Sequence, residues 1–204
     1  MNIAVLSGKG GTGKTMLSVN LAKVAGKSAY VDCDVEEPNG HLFLKPEGVV
    51  YENISVPVPE VDQERCDGCR KCVEFCRFNA LVFLLDRVKV YTDMCHSCGG
   101  CPIICPQKAI SERPRSIGHI ESGKSGDISV YTGIMDVGEV SGIPIIDRLL
   151  EMASSTDEIT FIDCPPGSSC SVMESIKDAD FCVLVTEPTI FGAHNMKMVA
   201  ELAI

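Results

Sequence analysis

Apolar positions in this chain fall into short runs separated by glycine and polar breaks, and their lengths and periods give a first reading of the fold. Residues 2 to 6, Asn-Ile-Ala-Val-Leu, form a strand-like run that ends at Ser7-Gly8. Leu17, Leu21, Val24 and Ala25 then recur at helical spacing within Lys14 to Ala25, and a second strand-like run covers Ser28 to Asp32. This order predicts the opening of an α/β fold with a parallel sheet, because parallel neighbours need a crossover between them. Strand-like runs return at Ile159 to Asp163 and Phe181 to Thr186, with a helix predicted over Ile143 to Met152 before them.

Between these halves the pattern changes to short strands, turns and cysteines. Pro57 and Pro59 mark the entrance and Pro114 the exit. The pattern therefore predicts a discontinuous domain of residues 1–57 and 114–204 interrupted by a module of residues 58–113, which a host tolerates when the two ends of the module lie close together. The module repeats itself: CDGCRKCVEFCRFNAL (66–81) aligns without a gap to CHSCGGCPIICPQKAI (95–110). Val82 to Tyr91, with Asp86-Arg87 at its middle, reads as a β-hairpin between the two copies. The glycine-rich stretch Gly118 to Gly142 is expected to be a loop, either linked to a switch or a plain surface connector.

A chain of 204 residues can bury one core plus a small satellite. Its net charge of -10 argues against nucleic acid as a partner, since no basic excess exists to release counterions. Basic residues do gather around the first cysteine run (Arg65, Arg70, Lys71, Arg77), either as a solvated face or to offset the charge of a thiolate-ligated metal group. The start lacks the basic segment of a signal peptide, and no apolar stretch reaches the roughly 18 residues of a spanning helix. A cytosolic location is expected, with no membrane segment, and there clustered cysteines bind metal more often than they form disulfides.

Eight of the 12 cysteines sit in two matching runs, Cys66-x2-Cys69-x2-Cys72-x3-Cys76 and Cys95-x2-Cys98-x2-Cys101-x3-Cys105. Three cysteines at intervals of three can each ligate one iron of a [4Fe-4S] cluster. Zinc sites use paired C-x2-C knuckles instead, and disulfide scaffolds suit small secreted chains. The runs resemble those of bacterial-type 2[4Fe-4S] ferredoxins. That resemblance implies an inserted α+β ferredoxin-like domain, with Cys66, Cys69, Cys72 and Cys105 on one cluster and Cys95, Cys98, Cys101 and Cys76 on the other. The second run closes with Cys105-Pro106, as in the ferredoxin pattern, but the first closes with Cys76-Arg77. Arg77 is expected to put a positive charge beside the cluster that Cys76 serves, so the two potentials should differ.

Gly8-Lys9-Gly10-Gly11-Thr12-Gly13-Lys14-Thr15 fits G-x4-G-K-[ST] and lies between a predicted strand and helix, the context this phosphate-binding loop requires. Backbone N–H groups of such a turn cradle phosphate oxygens. Lys14 is expected to reach the β- and γ-phosphates of ATP, and the Thr15 hydroxyl to hold Mg2+.

With its second lysine, Lys9, the loop KGGTGKT resembles the deviant phosphate-loop ATPases of the MinD/ParA/Mrp group. Three further stretches resemble the same group: Val31 to Asn39 (VDCDVEEPN), Ile159 to Gly167 (ITFIDCPPG) and Val183 to Phe191 (VLVTEPTIF). The resemblance implies a P-loop NTPase domain acting as a nucleotide-dependent homodimer, in which Lys9 crosses to the partner's phosphates. It also implies that Asp34 orients the attacking water and that Asp163 holds Mg2+ through water. Asp32 could instead cap or support its loop. The group continues with further strands around the nucleotide base, so the chain is expected to be truncated at its C-terminus. Cys33 and Cys182 are expected to be small buried hydrophobes, while Cys164 and Cys170 flank the second of the three stretches and could face a dimer mate.

These readings predict an ATPase coupling nucleotide state to electron transfer through two [4Fe-4S] clusters, with an unidentified redox partner. An alternative, from the Mrp-like resemblance, is an iron-sulfur cluster carrier or scaffold that delivers to an apo-protein. A MinD-like spatial regulator would need a basic amphipathic C-terminal helix, and none is visible.

Overall fold

The computed structural model describes residues 1–154 and 158–203. In chain order the elements are β1 (Asn2–Leu6), α1 (Lys14–Ala25), β2 (Ser28–Asp32), α2 (Gly40–Leu44), β3 (Glu47–Val61), α3 (Lys71–Phe75), β4 (Leu81–Leu84), β5 (Arg87–Val90), α4 (Gly100–Ile104), β6 (Ile110–Ser125), β7 (Ile128–Met135), α5 (Ile143–Ser154), β8 (Ile159–Asp163), α6 (Cys170–Ile176), β9 (Phe181–Leu184) and α7 (Ile190–Leu202). The fold is α/β. Among the described residues it has a seven-stranded sheet in the order β3-β6-β7-β2-β8-β1-β9 and a separate two-stranded sheet, β4-β5.

The chain divides into two compact units, residues 1–54, 118–136 and 142–204 in one, and residues 55–117 and 137–141 in the other. In the first unit, β7, β2, β8, β1 and β9 run parallel. Strand β2 is buried along its whole length, as expected of a parallel strand covered on both faces. The sheet is mixed rather than wholly parallel, because β6 joins β7 antiparallel. The glycine-rich stretch read as a loop is thus largely a strand pair. One of its glycines is there for packing: a Cβ on Gly133 would lie 2.7 Å from Val35 and 2.8 Å from both Ile145 and Leu149.

Helix α1 packs on β8 and β2, and of the apolar positions that its periodicity singles out, Leu21 packs against the core while Val24 and Ala25 are exposed. Its buried residues are Lys14, Ser18, Val19 and Ala22, whereas Val24 is 87% exposed. Two polar side chains occupy the sheet-facing side because they serve the strand ends beneath them. Helix α5 behaves conventionally, burying Ile145, Ile146, Leu149, Leu150 and Ala153.

In the second unit, each cysteine run contains a short helix just before its last cysteine and is followed by an extended return. Positive-φ residues recur at matching places in the two copies: Gly68 and Ser97, Arg70 and Gly99, Asn79 and Lys108. Helices α3 and α4 also match, so the sequence repeat is a repeat of backbone conformation. Its core joins Val58, Ala80, Leu81, Val88 and Ile110 to Cys72, Cys95 and Cys101. The hairpin pairs Leu84 with Arg87, so its turn is Leu85-Asp86, both at positive φ, one residue earlier than the sequence reading. Residues 137–141, which the sequence reading leaves with the outer segments, group with this unit, where Glu139 makes a two-pronged, largely buried ion pair with Arg115.

Candidate functional site

In the first unit the candidate chemistry collects at the C-terminal ends of the parallel strands, where ligands bind in open α/β sheets. Strand β1 runs into the turn Gly8, Lys9, Gly10, Gly11, Thr12 and Gly13, and Lys14 and Thr15 open α1. On the adjacent β8, Asp163 is fully buried, and Lys14 Nζ lies 3.0 Å from its Oδ1. Ser18 Oγ is 3.3 Å from the same oxygen and 2.9 Å from Lys14 O, and Tyr30 donates its hydroxyl to Asp163 Oδ2 at 3.0 Å. The carboxylate is therefore held on both oxygens, with one cation against it.

Asp32 is the register partner of Asp163 on β2. Burial first, and then the neighbouring Asp163, push its carboxyl up to about 7, although backbone N–H donors oppose the shift. Those donors come from Asp34, Asn39 and Gly40 at 3.2, 3.1 and 2.9 Å, so Asp32 organises the segment that carries Asp34. Tyr30 OH also lies 3.5 Å from Asp32 Oδ2. Burial, with Asp32 and Asp163 behind it, raises the Tyr30 phenol well above its usual range. Gly40 has to be glycine, since a Cβ there would meet Tyr30 OH at 2.1 Å.

Asp34 is half-buried on a cavity of about 330 Å3 between residues 33–37 and 165–171. Burial raises its carboxyl, while Lys14 pulls it down. Lys9 lies apart from this group. It is ion-paired to Glu187, which also accepts from Thr189 Oγ1 at 2.9 Å. These contacts, Lys9 first, hold the Glu187 carboxyl below its usual range. Two features fit an anionic, cation-bound ligand. Thr12 Oγ1 is buried in the loop without a hydrogen-bond partner, and Asp32, Asp34 and Asp163 outnumber Lys14 at the strand ends. Such a surplus of negative charge is relieved by a bound cation.

The second unit contains two cysteine-lined cavities. Cys66, Cys69, Cys72 and Cys105 line the first, and Cys76, Cys95, Cys98 and Cys101 the second. Each cavity therefore draws three cysteines from one run and the last cysteine of the other. Burial raises the Cys72 thiol, with Cys105 and Cys66 adding to the shift. Cys101 is pushed up to about 11 by burial, then by Cys98, Cys76 and Cys95. Sulfurs already accept hydrogen bonds here, Cys95 from Ser97 N at 3.4 Å and Cys105 from Ala109 N at 3.3 Å. Among the described residues, no three His, Cys, Asp or Glu converge on a single metal ion. A cubane does not require this, because its irons occupy separate corners and each takes one thiolate. Four soft sulfur donors around one cavity fit such a group.

Arg77 is exposed and does not line the second cavity, whereas Arg70 lines the first and lies 4.3 Å from the Phe83 ring centroid. The outward-facing role considered for Cys164 fails, since it is fully buried and burial raises its thiol. Cys33 is buried as expected, Cys182 is partly buried, and Cys170 is exposed. Sequence reasoning missed Ser18, Tyr30, Glu187 and Ser97. Ser18 was within reach, because it follows Lys14 by one helical turn, on the same face.

The family model for the CobQ/CobB/MinD/ParA nucleotide-binding domain matches residues 3–178. An uncharacterized protein of Methanocaldococcus jannaschii is 34% identical over 206 residues, covering 98% of this chain and 72% of that protein. An uncharacterized ferredoxin of the same organism is 35% identical over 54 residues, 24% of this chain and 70% of the ferredoxin. The septum site-determining protein MinD from Pyrococcus horikoshii, solved in complex with Mg-ADP, superposes with a TM-score of 0.52 at 17% identity. That match covers 98% of this chain but only 63% of the MinD chain, so this chain spans less than two thirds of its structural relative. Among the described residues, no helix is long and apolar enough to cross a membrane.

Proposed function

The chain belongs to the CobQ/CobB/MinD/ParA family of nucleotide-binding domains, and from that premise we propose that it is an ATPase whose nucleotide state is coupled to electron transfer through two [4Fe-4S] clusters. The observation that carries the redox half is the sorting of eight cysteines into two four-sulfur cavities, each completed by the other run. Such interleaved sets hold their contents firmly, which favours electron transfer over delivery of a cluster to an apo-protein.

The nucleotide half follows from the strand ends. Lys14 exchanges the buried Asp163 carboxylate for the β- and γ-phosphates, so one buried cation is never left uncompensated. The turn from Gly8 to Gly13 presents its N–H groups to the same phosphates, and Thr12 Oγ1 gains the partner it lacks. Mg2+, when bound, neutralises phosphate charge, and Thr15 and, through water, Asp163 are the residues that would hold it. Asp34, kept near its place by the Asp32 hydrogen bonds, positions the attacking water. Lys9 leaves Glu187 and reaches the phosphates of a second copy, making a homodimer the active species. Fixed charges of this kind act at the moment of transfer without reorganising.

In the second unit Cys66, Cys69, Cys72 and Cys105 would hold one cluster and Cys76, Cys95, Cys98 and Cys101 the other, and bound clusters supply one-electron redox chemistry. Anaerobic purification followed by iron and sulfide counting, together with ATP turnover in the oxidised and reduced states, tests the reading. About eight irons per chain and turnover that changes with redox state are expected. Turnover indifferent to redox state sinks the coupling, and transfer of iron-sulfur clusters to an apo-acceptor favours the carrier reading instead.

A further inference from the structure

Ser97 is costly in two ways. Its backbone lies in the left-handed region at φ 53, which a serine occupies only under strain, and its Oγ is buried without a hydrogen-bond partner. The matching residue of the first copy, Gly68, is at φ 70 and bears neither cost. The space differs as well. A Cβ on Gly68 would lie 3.3 Å from the Phe83 ring, so the first copy packs an aromatic edge where the second carries a hydroxyl. Ser97 lines the cavity of Cys76, Cys95, Cys98 and Cys101, and its own N–H already points to Cys95 Sγ at 3.4 Å. Beside it, His96 stacks on Phe78 with ring centroids 3.7 Å apart. Glycine would fit this backbone at lower cost, so the hydroxyl is what the position gains.

We propose that the Ser97 hydroxyl donates a hydrogen bond to a sulfur of the cluster held in the second cavity and raises that cluster's reduction potential above what the same site would have without it. This rests on reading the two cavities as [4Fe-4S] sites. Reduction adds one electron and no proton, and the added charge spreads onto the sulfurs. A fixed O–H donor beside them stabilises the reduced form more than the oxidised one, as hydrogen bonds to cluster sulfur do in general. The first cavity has no such hydroxyl at Gly68. Ser97 is thus a source of asymmetry between the two clusters separate from the charge of Arg77.

The test is a dithionite titration with redox mediators, followed by electron paramagnetic resonance, on the full chain loaded anaerobically. Wild type, Ser97→Gly and Ser97→Ala are compared. Ser97→Gly keeps the left-handed backbone without strain and removes the hydroxyl, whereas Ser97→Ala removes the hydroxyl and keeps the strain. Both are expected to lower one of the two midpoints by up to about tenfold in the reduction equilibrium (~59 mV for one electron) and leave the other in place. Both should also lose one exchangeable-proton coupling in double-resonance spectra recorded after transfer to deuterated buffer. Two clusters whose midpoints do not move, or a shift in Ser97→Gly alone, overturn the hydroxyl's role while leaving the cluster reading intact. A wild-type chain that gives no reduced-cluster signals overturns both.

Discussion

Lys14 Nζ lies 3.0 Å from Asp163 Oδ1, with both side chains buried, one at the start of α1 and the other at the end of β8. Each charge would be stranded in the interior without the other. Removing one partner of a buried pair costs on the order of 3–5 kcal/mol, and replacing both costs far less. Lys14→Met should therefore abolish binding of a fluorescent ATP analogue and lower the urea midpoint markedly. Asp163→Asn added to it should recover most of the stability but none of the binding. A double variant as unstable as the sum of the singles would show that the pair is not coupled.

Lys9 makes a different prediction because its side chain is 41% exposed and its partner Glu187 lies at the surface. Lys9→Ala should leave thermal stability and nucleotide affinity nearly unchanged while lowering turnover by roughly tenfold or more, since a phosphate-directed cation supplied by a partner acts in the transition state. Wild-type turnover per chain should rise with protein concentration, and that rise should vanish in the variant. A concentration-independent rate in wild type would remove the dimer from the mechanism.

Interleaved cysteines give a counting experiment. Cys105→Ser should lose the cluster of the first cavity despite belonging to the second run, halving iron from about eight to about four per chain. Cys66→Ser combined with Cys105→Ser should lose no more than either alone, whereas Cys95→Ser combined with Cys105→Ser should lose both clusters. The opposite pattern would assign each cavity to a single run.

Asp32 sets the pH behaviour of the nucleotide-free protein. Burial, with Asp163 behind it, raises its carboxyl from 3.8 to about 7 in the folded state, so the folded chain holds the proton more tightly than the unfolded one. The resulting stability is fully present below pH ~4 and is lost as pH rises through ~7, amounting to a few kcal/mol. Urea midpoints measured between pH 5 and 8 should fall with pH in wild type and flatten in Asp32→Asn. An identical slope in the two proteins would place the titration elsewhere.

Tyr30→Phe removes a hydroxyl that bridges two carboxylates while keeping the ring. A loss of about 1–3 kcal/mol in urea unfolding is expected, since Asp163 Oδ2 is then left buried without that donor. No change in stability would mean that Ser18 and Lys14 satisfy Asp163 unaided.

Much of this was legible before any coordinates. The phosphate loop declares itself because only a few residue types let a backbone turn wrap an anion between strand and helix. The apolar runs at 2–6, 28–32 and 159–163 match β1, β2 and β8 because parallel strands largely buried on both faces read as near-continuous apolar runs. The helical spacing of Leu17, Leu21, Val24 and Ala25 marks α1 but not its buried face, because α1 turns Lys14 and Ser18 toward the sheet. Within Gly118 to Gly142, residues 118–125 and 128–135 are strand rather than loop, because a glycine such as Gly133 signals close packing as well as a loop and composition does not tell the two apart.

The sequence alone determined the identities and spacings that chemistry demands: the loop from Gly8 to Thr15, the two four-cysteine runs, and the aspartates that end strands. Those are local properties, written in consecutive residues. That Tyr30 joins Asp32 to Asp163, that Glu187 holds Lys9, that the Ser97 hydroxyl is buried at the second cavity, and that Phe83 packs beside Gly68 were decided by tertiary structure. Each of these relations depends on strand register or on the approach of segments remote in sequence, and no periodicity along a chain encodes the distance between two such segments.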